Sequence, residues 1–225
     1  MLTNVIGDLF PSAVGVALSP VPIIAVILIL GTPKARTAGL SFAAGWVVGL
    51  VVVSTVVLIL AGSDDGSSGE PERWSSILKL VVGVGFFALA AKQWQSRPQP
   101  GESASLPPWM ASIDGFTAAK CFGLGALLSG LNPKNLALIV ASSSAIAQAG
   151  LEAQQRAIAV AVFVVVGSIS VLGPVVFVVV APTRAAAPLS SIKSFMTANV
   201  ATIMMVTLVV LGAKMFGAGL AGLTN

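Results

Sequence analysis

Two short proline-containing stretches hold the residues of this sequence that could bind a substrate. The first reads LSPVP over 18–22 and the second reads LNPKN over 131–135, so that Pro133 follows Pro20 by 113 residues. A proline inside an apolar helix removes a backbone hydrogen bond and clashes with the preceding turn, so each stretch predicts a broken helix. A helix that begins after such a break has unpaired N–H groups at the positive end of its dipole, and helix starts of this kind bind anions.

The candidate substrate-binding residues lie at these two breaks. They are Ser19, Pro20, Pro22, Asn132, Pro133, Lys134 and Asn135. Lys134 would add a full positive charge, and the two asparagines would supply side-chain donors and acceptors beside it. An ionisable residue within a membrane segment is costly and is by default a functional hypothesis. Two structural alternatives stay open, because Lys134 could snorkel to an interface and the prolines could simply kink packed helices.

The residue types that are missing exclude several chemistries. The chain has no His and no Tyr, and Cys121 is its single cysteine, which rules out imidazole catalysis and an intrachain disulfide. The eight acidic residues all fall in predicted loops or segment ends, whereas cation transporters usually place carboxylates on the ion path. We therefore expect no enzyme, no metal site and no cofactor. The candidate substrate-binding residues at the two breaks favour an anionic group such as a phosphate, a sulfate or a carboxylate.

The composition predicts an all-α integral membrane protein. Hydrophobic residues make up 56% of the 225 residues and charged residues only 9%, against roughly 25% in soluble domains. The mean hydropathy is +0.98. A net charge of +4 is typical of positive cytoplasmic loops, so nucleic acid is not expected as a partner.

Stretches with few charges are long enough for six membrane segments, of which the first and the fourth contain the proline breaks. The segments are 5–31, 37–62, 74–95, 116–148, 154–181 and 194–220. Because three segments precede the one that contains the second motif, the two motifs enter the membrane from opposite sides. This arrangement predicts two inverted three-helix repeats with a substrate site between the broken helices.

The repeats define the predicted organisation of the chain. Residues 1–95 form the first repeat, residues 96–115 a proline-rich cytoplasmic linker and residues 116–225 the second, inverted repeat. The acidic stretch 64–73 and the stretch 96–108 are expected to be disordered loops.

The distribution of basic residues predicts the orientation. Seven of them fall on one side of the predicted membrane: Lys34, Arg36, Lys92, Arg97, Lys120, Arg184 and Lys193. The other side carries three, namely Arg73, Arg156 and Lys214. The positive-inside rule then predicts a multi-pass plasma (inner) membrane protein with both termini outside the cytoplasm. The N-terminal region has Asp8 and no early basic residue, so we expect the first segment to be retained rather than cleaved as a signal peptide.

The motifs resemble those of a known group of transporters. The stretch LSPVPIIAVILILGTPKARTAGLSFAAGW over 18–46, together with LNPKNLALIV over 131–140, resembles the LysE superfamily of membrane exporters. These exporters have P-x-P in the first segment and N-P-K in the fourth. The closest likeness is to the GAP family, which includes sulfolipid-addressing and glycopeptidolipid-addressing proteins. Amino-acid exporters usually read P-G-P, and Val21 in place of that glycine counts against a small amino-acid substrate.

Residues and resemblance together favour a secondary exporter or flippase-like translocator. Its predicted substrate is an anionic lipid-linked or amphipathic molecule of the cell envelope, where the lipid part rests on the resemblance and the anionic part on the residues. One alternative is export of a small soluble solute such as an amino acid. Another is an accessory protein that scaffolds envelope biosynthesis without transport. Small-residue faces on the second and fifth segments would permit a homodimer.

Overall fold

A computed structural model of the chain describes residues 1–62, 71–97 and 108–224. These residues form eight α-helices and one 3-10 helix and no strand. The α-helices are α1 Leu2–Ala17, α2 Pro20–Leu30, α3 Ala35–Gly62, α4 Pro71–Gln95, α5 Ala118–Gly130, α6 Pro133–Gln148, α7 Ala153–Val180 and α8 Pro182–Thr224, and the 3-10 helix is Pro108–Gly115.

Three to five membrane spans follow from the described helices. The helices α3, α7 and α8 are each long and apolar enough to cross a bilayer, and the pairs α1–α2 and α5–α6 qualify when each is taken as one broken span. The pairs bend by 53° and 61° at their breaks. Large apolar side chains such as Leu60 and Val180 are exposed, as expected for helices that face lipid. The predicted membrane protein and both predicted breaks are confirmed.

Each break lies where the prolines predict it. Pro20 is the first residue of α2 and Pro133 is the first residue of α6. Proline is favoured at this first helical position because its missing N–H would be unpaired there in any case.

The last helix begins earlier than the sequence predicts. It starts at Pro182 rather than near residue 194, so that Arg184 and Lys193 lie on its first four turns and not in a loop. The predicted boundary was wrong because it equated charge with loop. Pro182 starts the helix, which continues through Pro188.

The predicted linker is partly folded. Residues 108–115 form the 3-10 helix, and its Met110 and Ile113 are buried in the core that includes α2. The acidic stretch also ends earlier than predicted, since α4 already begins at Pro71. Residues 63–70 and 98–107, where disordered loops were predicted, lie outside the described residues.

Glycines set the distance between α3 and α5. A Cβ on Gly45 would overlap the Phe122 carbonyl, and a Cβ on Gly125 would overlap the Phe42 carbonyl. Small residues allow two membrane helices to approach until their backbones touch. Gly130 meets Val53 further along both helices than Gly45 meets Phe122, so the two helices run parallel.

Two further helix pairs pack in the same manner. In the pair α1–α7, Gly167 faces Val16. In the pair α4–α8, Gly83 lies against the Phe216 backbone and Gly212 lies against the Phe87 ring, an order that makes these helices antiparallel.

The helix α2 is enclosed by the rest of the molecule. Nine of its eleven residues are buried, which suits a helix that is apolar on every side. It packs against α3, α7, α8 and the 3-10 helix. The helix α6 buries seven of its sixteen residues, along one stripe. The second half of the first broken pair is therefore covered more completely than its counterpart.

We predict that Gly125→Ala destabilises the protein whereas Gly123→Ala does not. A Cβ at Gly125 must displace α3, and such overpacking costs about 1–3 kcal/mol. A Cβ at Gly123, two residues away on the same helix, meets no atom within 4 Å. Thermal unfolding of the detergent-purified variants measures the difference. Equal melting temperatures for both variants would contradict the close approach of α3 and α5.

Candidate functional site: the broken-helix site

The end of α1 is held by side chains from two distant helices. The Lys134 Nζ of α6 donates a hydrogen bond to the Gly15 carbonyl at 2.6 Å. The Ser170 Oγ of α7 donates to the Ala17 carbonyl at 2.6 Å. The last carbonyls of a helix have no partner within it, so a break inside a membrane protein needs such donors.

Lys134 is buried at this position. It is 3% exposed and is the one charged side chain buried among the described residues. Its ammonium lies at the C-terminal end of α1, where the helix dipole is negative and stabilises a cation. The contact joins residues 119 positions apart in the sequence and links the two halves of the chain.

The second break is capped by its own residues. The Asn132 Oδ1 accepts the backbone N–H of Lys134 at 3.1 Å, an ordinary N-cap. The Asn135 Nδ2 donates to the Leu128 carbonyl of α5 at 3.1 Å. The start of α6 therefore holds the end of α5 as well as the end of α1.

A direct side-chain bond joins the two breaks. The Ser19 Oγ donates to the Asn135 Oδ1 at 3.0 Å, and both residues are buried. Ser19 precedes α2 without capping it through its side chain, because its hydroxyl is directed to the other break. We call the cluster of Ser19, Asn132, Lys134 and Asn135, with the carbonyls that they bind, the broken-helix site.

The two carbonyls bound by α6 occupy corresponding places. Leu128 follows Gly15 by 113 residues, the offset that separates the two proline motifs. One carbonyl accepts from the Lys134 ammonium and the other from the Asn135 amide. Neighbouring side chains of a single helix thus bind the ends of α1 and α5.

The starts of α2 and α6 have fewer free backbone N–H groups than the start of a helix normally has. Pro20 and Pro22 have no N–H, and the Ile23 N–H goes to the Ser19 carbonyl, which leaves the N–H of Val21 at the start of α2. At the start of α6 the Asn135 N–H remains, since Asn132 accepts from Lys134 and Leu136. An anion bound here would therefore depend on the Lys134 side chain more than on the backbone.

The structure brings together four of the seven predicted residues. Ser19, Lys134 and Asn135 are buried in direct contact across the breaks, and Asn132 is half-buried beside them. The prolines contribute helix starts and no polar contact. Pro20 and Pro22 are buried, whereas Pro133 is exposed.

The hydrogen bond from Ser170 to the end of α1 was not predicted from the sequence. Ser170 belongs to a run of small residues in α7, and a pattern of this kind predicts close packing in most membrane helices. The spacing does carry a signal, because Gly167 and Ser170 lie three residues apart on one helix face. That face is directed at α1.

Several further polar atoms are buried without a protein partner. Within the described residues they are Trp46 Nε1, Ser54 Oγ, Ser142 Oγ, Ser168 Oγ and Thr197 Oγ1. Ser142 follows Lys134 by eight residues and so lies on the same face of α6. Buried polar groups of this kind usually bind water or a ligand, so the Ser142 hydroxyl is a further polar group on the Lys134 face of α6.

The fold and site define an all-helical membrane protein in which two broken helices are joined across the halves of the chain. The chain belongs to the SfLAP family, described as Sap, sulfolipid-1-addressing protein, whose family model matches residues 9–221. The match includes both breaks, and it confirms the resemblance to the sulfolipid-addressing proteins. No curated protein and no solved structure matches the chain.

The bond between Ser19 and Asn135 can be measured by a double-mutant cycle. We expect a coupling of about 0.6 kcal/mol between Ser19→Ala and Asn135→Ala, typical of interhelical hydrogen bonds in membrane proteins. Asn135→Ala alone should cost more than Ser19→Ala, because it also leaves the Leu128 carbonyl unpaired.

The readout is the unfolding free energy of the detergent-purified protein in a denaturing detergent. Ser191→Ala is the control, since the Ser191 Oγ donates within its own helix at an exposed position. No coupling between Ser19 and Asn135, or coupling of the same size between Asn135 and Ser191, would contradict the bridge between the breaks.

Proposed function

We propose that the chain is a secondary exporter or flippase-like translocator that moves an anionic lipid-linked or amphipathic molecule of the cell envelope by alternating access. The observation that carries the proposal is the buried Lys134 ammonium, held by a backbone carbonyl at the contact between two broken helices. The family description names a sulfolipid-addressing protein, and this supports an anionic lipid as the substrate class.

Corresponding contacts support an arrangement of two inverted repeats. Two glycines of the uninterrupted helices pack against the broken helices at matching positions: Gly49 meets Ala126 and Ser129, and Gly167 meets Ala13 and Val16. Both α1 residues precede their α5 counterparts by 113 positions, the offset of the prolines. The same contact is therefore made twice, once by each half of the chain.

Helix directions support six alternating spans. The helix α3 runs parallel to α5, and α4 runs antiparallel to α8. These directions are those of a chain that crosses the membrane six times, with α4 as the third crossing. In the proposed arrangement each broken pair, bent by 53° or 61°, is counted as one span.

The proposed orientation rests on charges at one end of the bundle. The Arg36 Nη2 donates to the Val179 carbonyl, so the start of α3 and the end of α7 lie together, close to Arg184. Arg156 lies at the opposite end of α7. With basic residues clustered at the Arg36 end, we place that end in the cytoplasm and both termini outside.

The mechanism follows from competition for the ammonium. A phosphate or sulfate headgroup is a stronger acceptor for Lys134 than a neutral carbonyl, because both partners are then charged. Release of the Gly15 carbonyl would free the end of α1 and weaken the link between the two halves. The helix α2 is more completely buried than α6, and this difference supports alternating access, because the two repeats of such a transporter pack differently in each state. The sequence has no ATP-binding motif of the P-loop kind, so we assign the energy to an ion gradient, to the substrate's own gradient or to a partner.

The test compares lipid translocation by wild type, Lys134→Gln and Lys214→Gln in liposomes. Lys214 is a matched control, because its Nζ also donates to a backbone carbonyl, that of Asp8 at 2.7 Å, away from the breaks. Fluorescent phosphatidylglycerol and phosphatidylcholine with identical chains serve as the anionic and neutral substrates. We expect wild type and Lys214→Gln to move the anionic lipid faster than the neutral lipid. In Lys134→Gln the rate for the anionic lipid should fall at least about tenfold.

The alternatives give different results in the same preparation. A soluble-solute exporter would move a small anionic solute in a Lys134-dependent manner and leave both lipids in place. A scaffold protein would move neither, and its function in cells would depend on the proline-rich linker rather than on Lys134. Equal translocation of both lipids by all three proteins would overturn the anionic site.

A further inference from the structure

An open groove lies between α3 and α7, away from the broken-helix site. Its volume is about 770 Å³, within the range of ligand pockets in proteins. One wall is a stripe of α3 that includes Val51, Thr55 and Leu58. The other wall is a stripe of α7 that includes Val160 and Val164. Residues spaced by three and four positions lie on one helix face, so each wall is continuous.

A guanidinium lies at one end of this apolar groove. Arg156 belongs to the α7 wall, and its Nε donates to the Leu151 carbonyl at 2.8 Å. This bond fixes the base of the guanidinium. Among the described residues its two Nη groups have no hydrogen-bond or ion-pair partner, so both can bind an anion in the bidentate manner that suits arginine.

The length of the groove matches one leaflet of a bilayer. From Arg156 to Val165, the last groove residue of α7, the helix rises roughly 14 Å at 1.5 Å per residue. One leaflet contributes about half of the roughly 30 Å hydrocarbon core. Arg156 lies near the start of a helix that is long and apolar enough to span the membrane. A bilayer centred on this helix would place Arg156 at headgroup depth, with the groove directed toward the bilayer centre.

We propose that this groove binds one acyl chain of an anionic lipid, with the headgroup of that lipid on Arg156. The charge at one end and the apolar walls below it match the two parts of such a molecule. The inference deepens the proposed function and rests on it in one respect, since it assigns the transported class of lipid a docking position in the leaflet opposite the Arg36 end.

Lipid retention by the purified protein tests this proposal without transport. Native mass spectrometry or a lipid-binding titration compares phosphatidylglycerol with phosphatidylcholine of the same chains. Wild type should prefer phosphatidylglycerol, and Arg156→Gln should weaken its binding about tenfold, to the level of phosphatidylcholine. Arg36→Gln is the matched control, because Arg36 lies at the other end of the same two helices.

Binding of the acyl chain in the groove is tested by tryptophan substitutions. Ala161→Trp places a large ring in the groove from α7 and should weaken the binding of both lipids, since it blocks the acyl chain and leaves Arg156 in place. Thr55→Trp does the same from α3, so a folding defect in one variant leaves the other to decide. Unchanged binding by the folded tryptophan variants would overturn the proposal. An equal loss in Arg36→Gln, or a retained lipid preference in Arg156→Gln, would do so as well.

Lys134→Gln separates the two proposals. It should retain groove binding, because Lys134 is not a groove residue. If translocation proves independent of Lys134 while Arg156→Gln still loses the lipid, the groove stands and the proposed function falls. If translocation depends on Lys134 and the groove variants bind lipid normally, the groove proposal falls alone.

Discussion

The requirement that every backbone polar group inside a membrane protein finds a partner governs this structure. Two helices break within the apolar part of the chain, and each break leaves carbonyls that bilayer hydrocarbon cannot satisfy. Side chains from other helices supply the donors: Lys134 and Ser170 bind the end of α1, and Asn135 binds the end of α5. The first break therefore depends on the second half of the chain, which supplies both of its donors. The contact between the two halves is thus both the structural centre and the candidate substrate site.

Close packing through glycine complements this polar contact. Between α3 and α5, and between α4 and α8, backbones touch at positions where any side chain would intrude. Apolar burial drives association weakly in lipid, so membrane helices rely on such fits and on interhelical hydrogen bonds. The glycine contacts and the hydrogen bonds act at different places. Glycine contacts fix the uninterrupted helices against their neighbours, and the hydrogen bonds of Lys134 and Asn135 hold the ends of α1 and α5.

Much of the fold could be predicted from the sequence because the membrane simplifies the problem. Twenty charges in 225 residues leave long apolar stretches, and Pro20 and Pro133 mark both breaks to the residue. The same reasoning was wrong at the start of α8, where Arg184 and Lys193 were taken to mark a loop. It also missed the burial of Met110 and Ile113 within the predicted linker, since two apolar residues in a proline-rich stretch carry little periodicity.

The sequence by itself determined the class of protein, the positions of the breaks and the identity of the polar residues beside them. Only the tertiary structure decided what those residues bind. Lys134 binds the Gly15 carbonyl and not the end of its own helix, and Ser19 binds Asn135 and does not cap α2. The physical reason is that a carbonyl acceptor is the same group in every residue. Which carbonyl lies within reach of a given ammonium depends on how the helices pack. No side-chain pattern near Gly15 or Leu128 indicates that these carbonyls accept the hydrogen bonds.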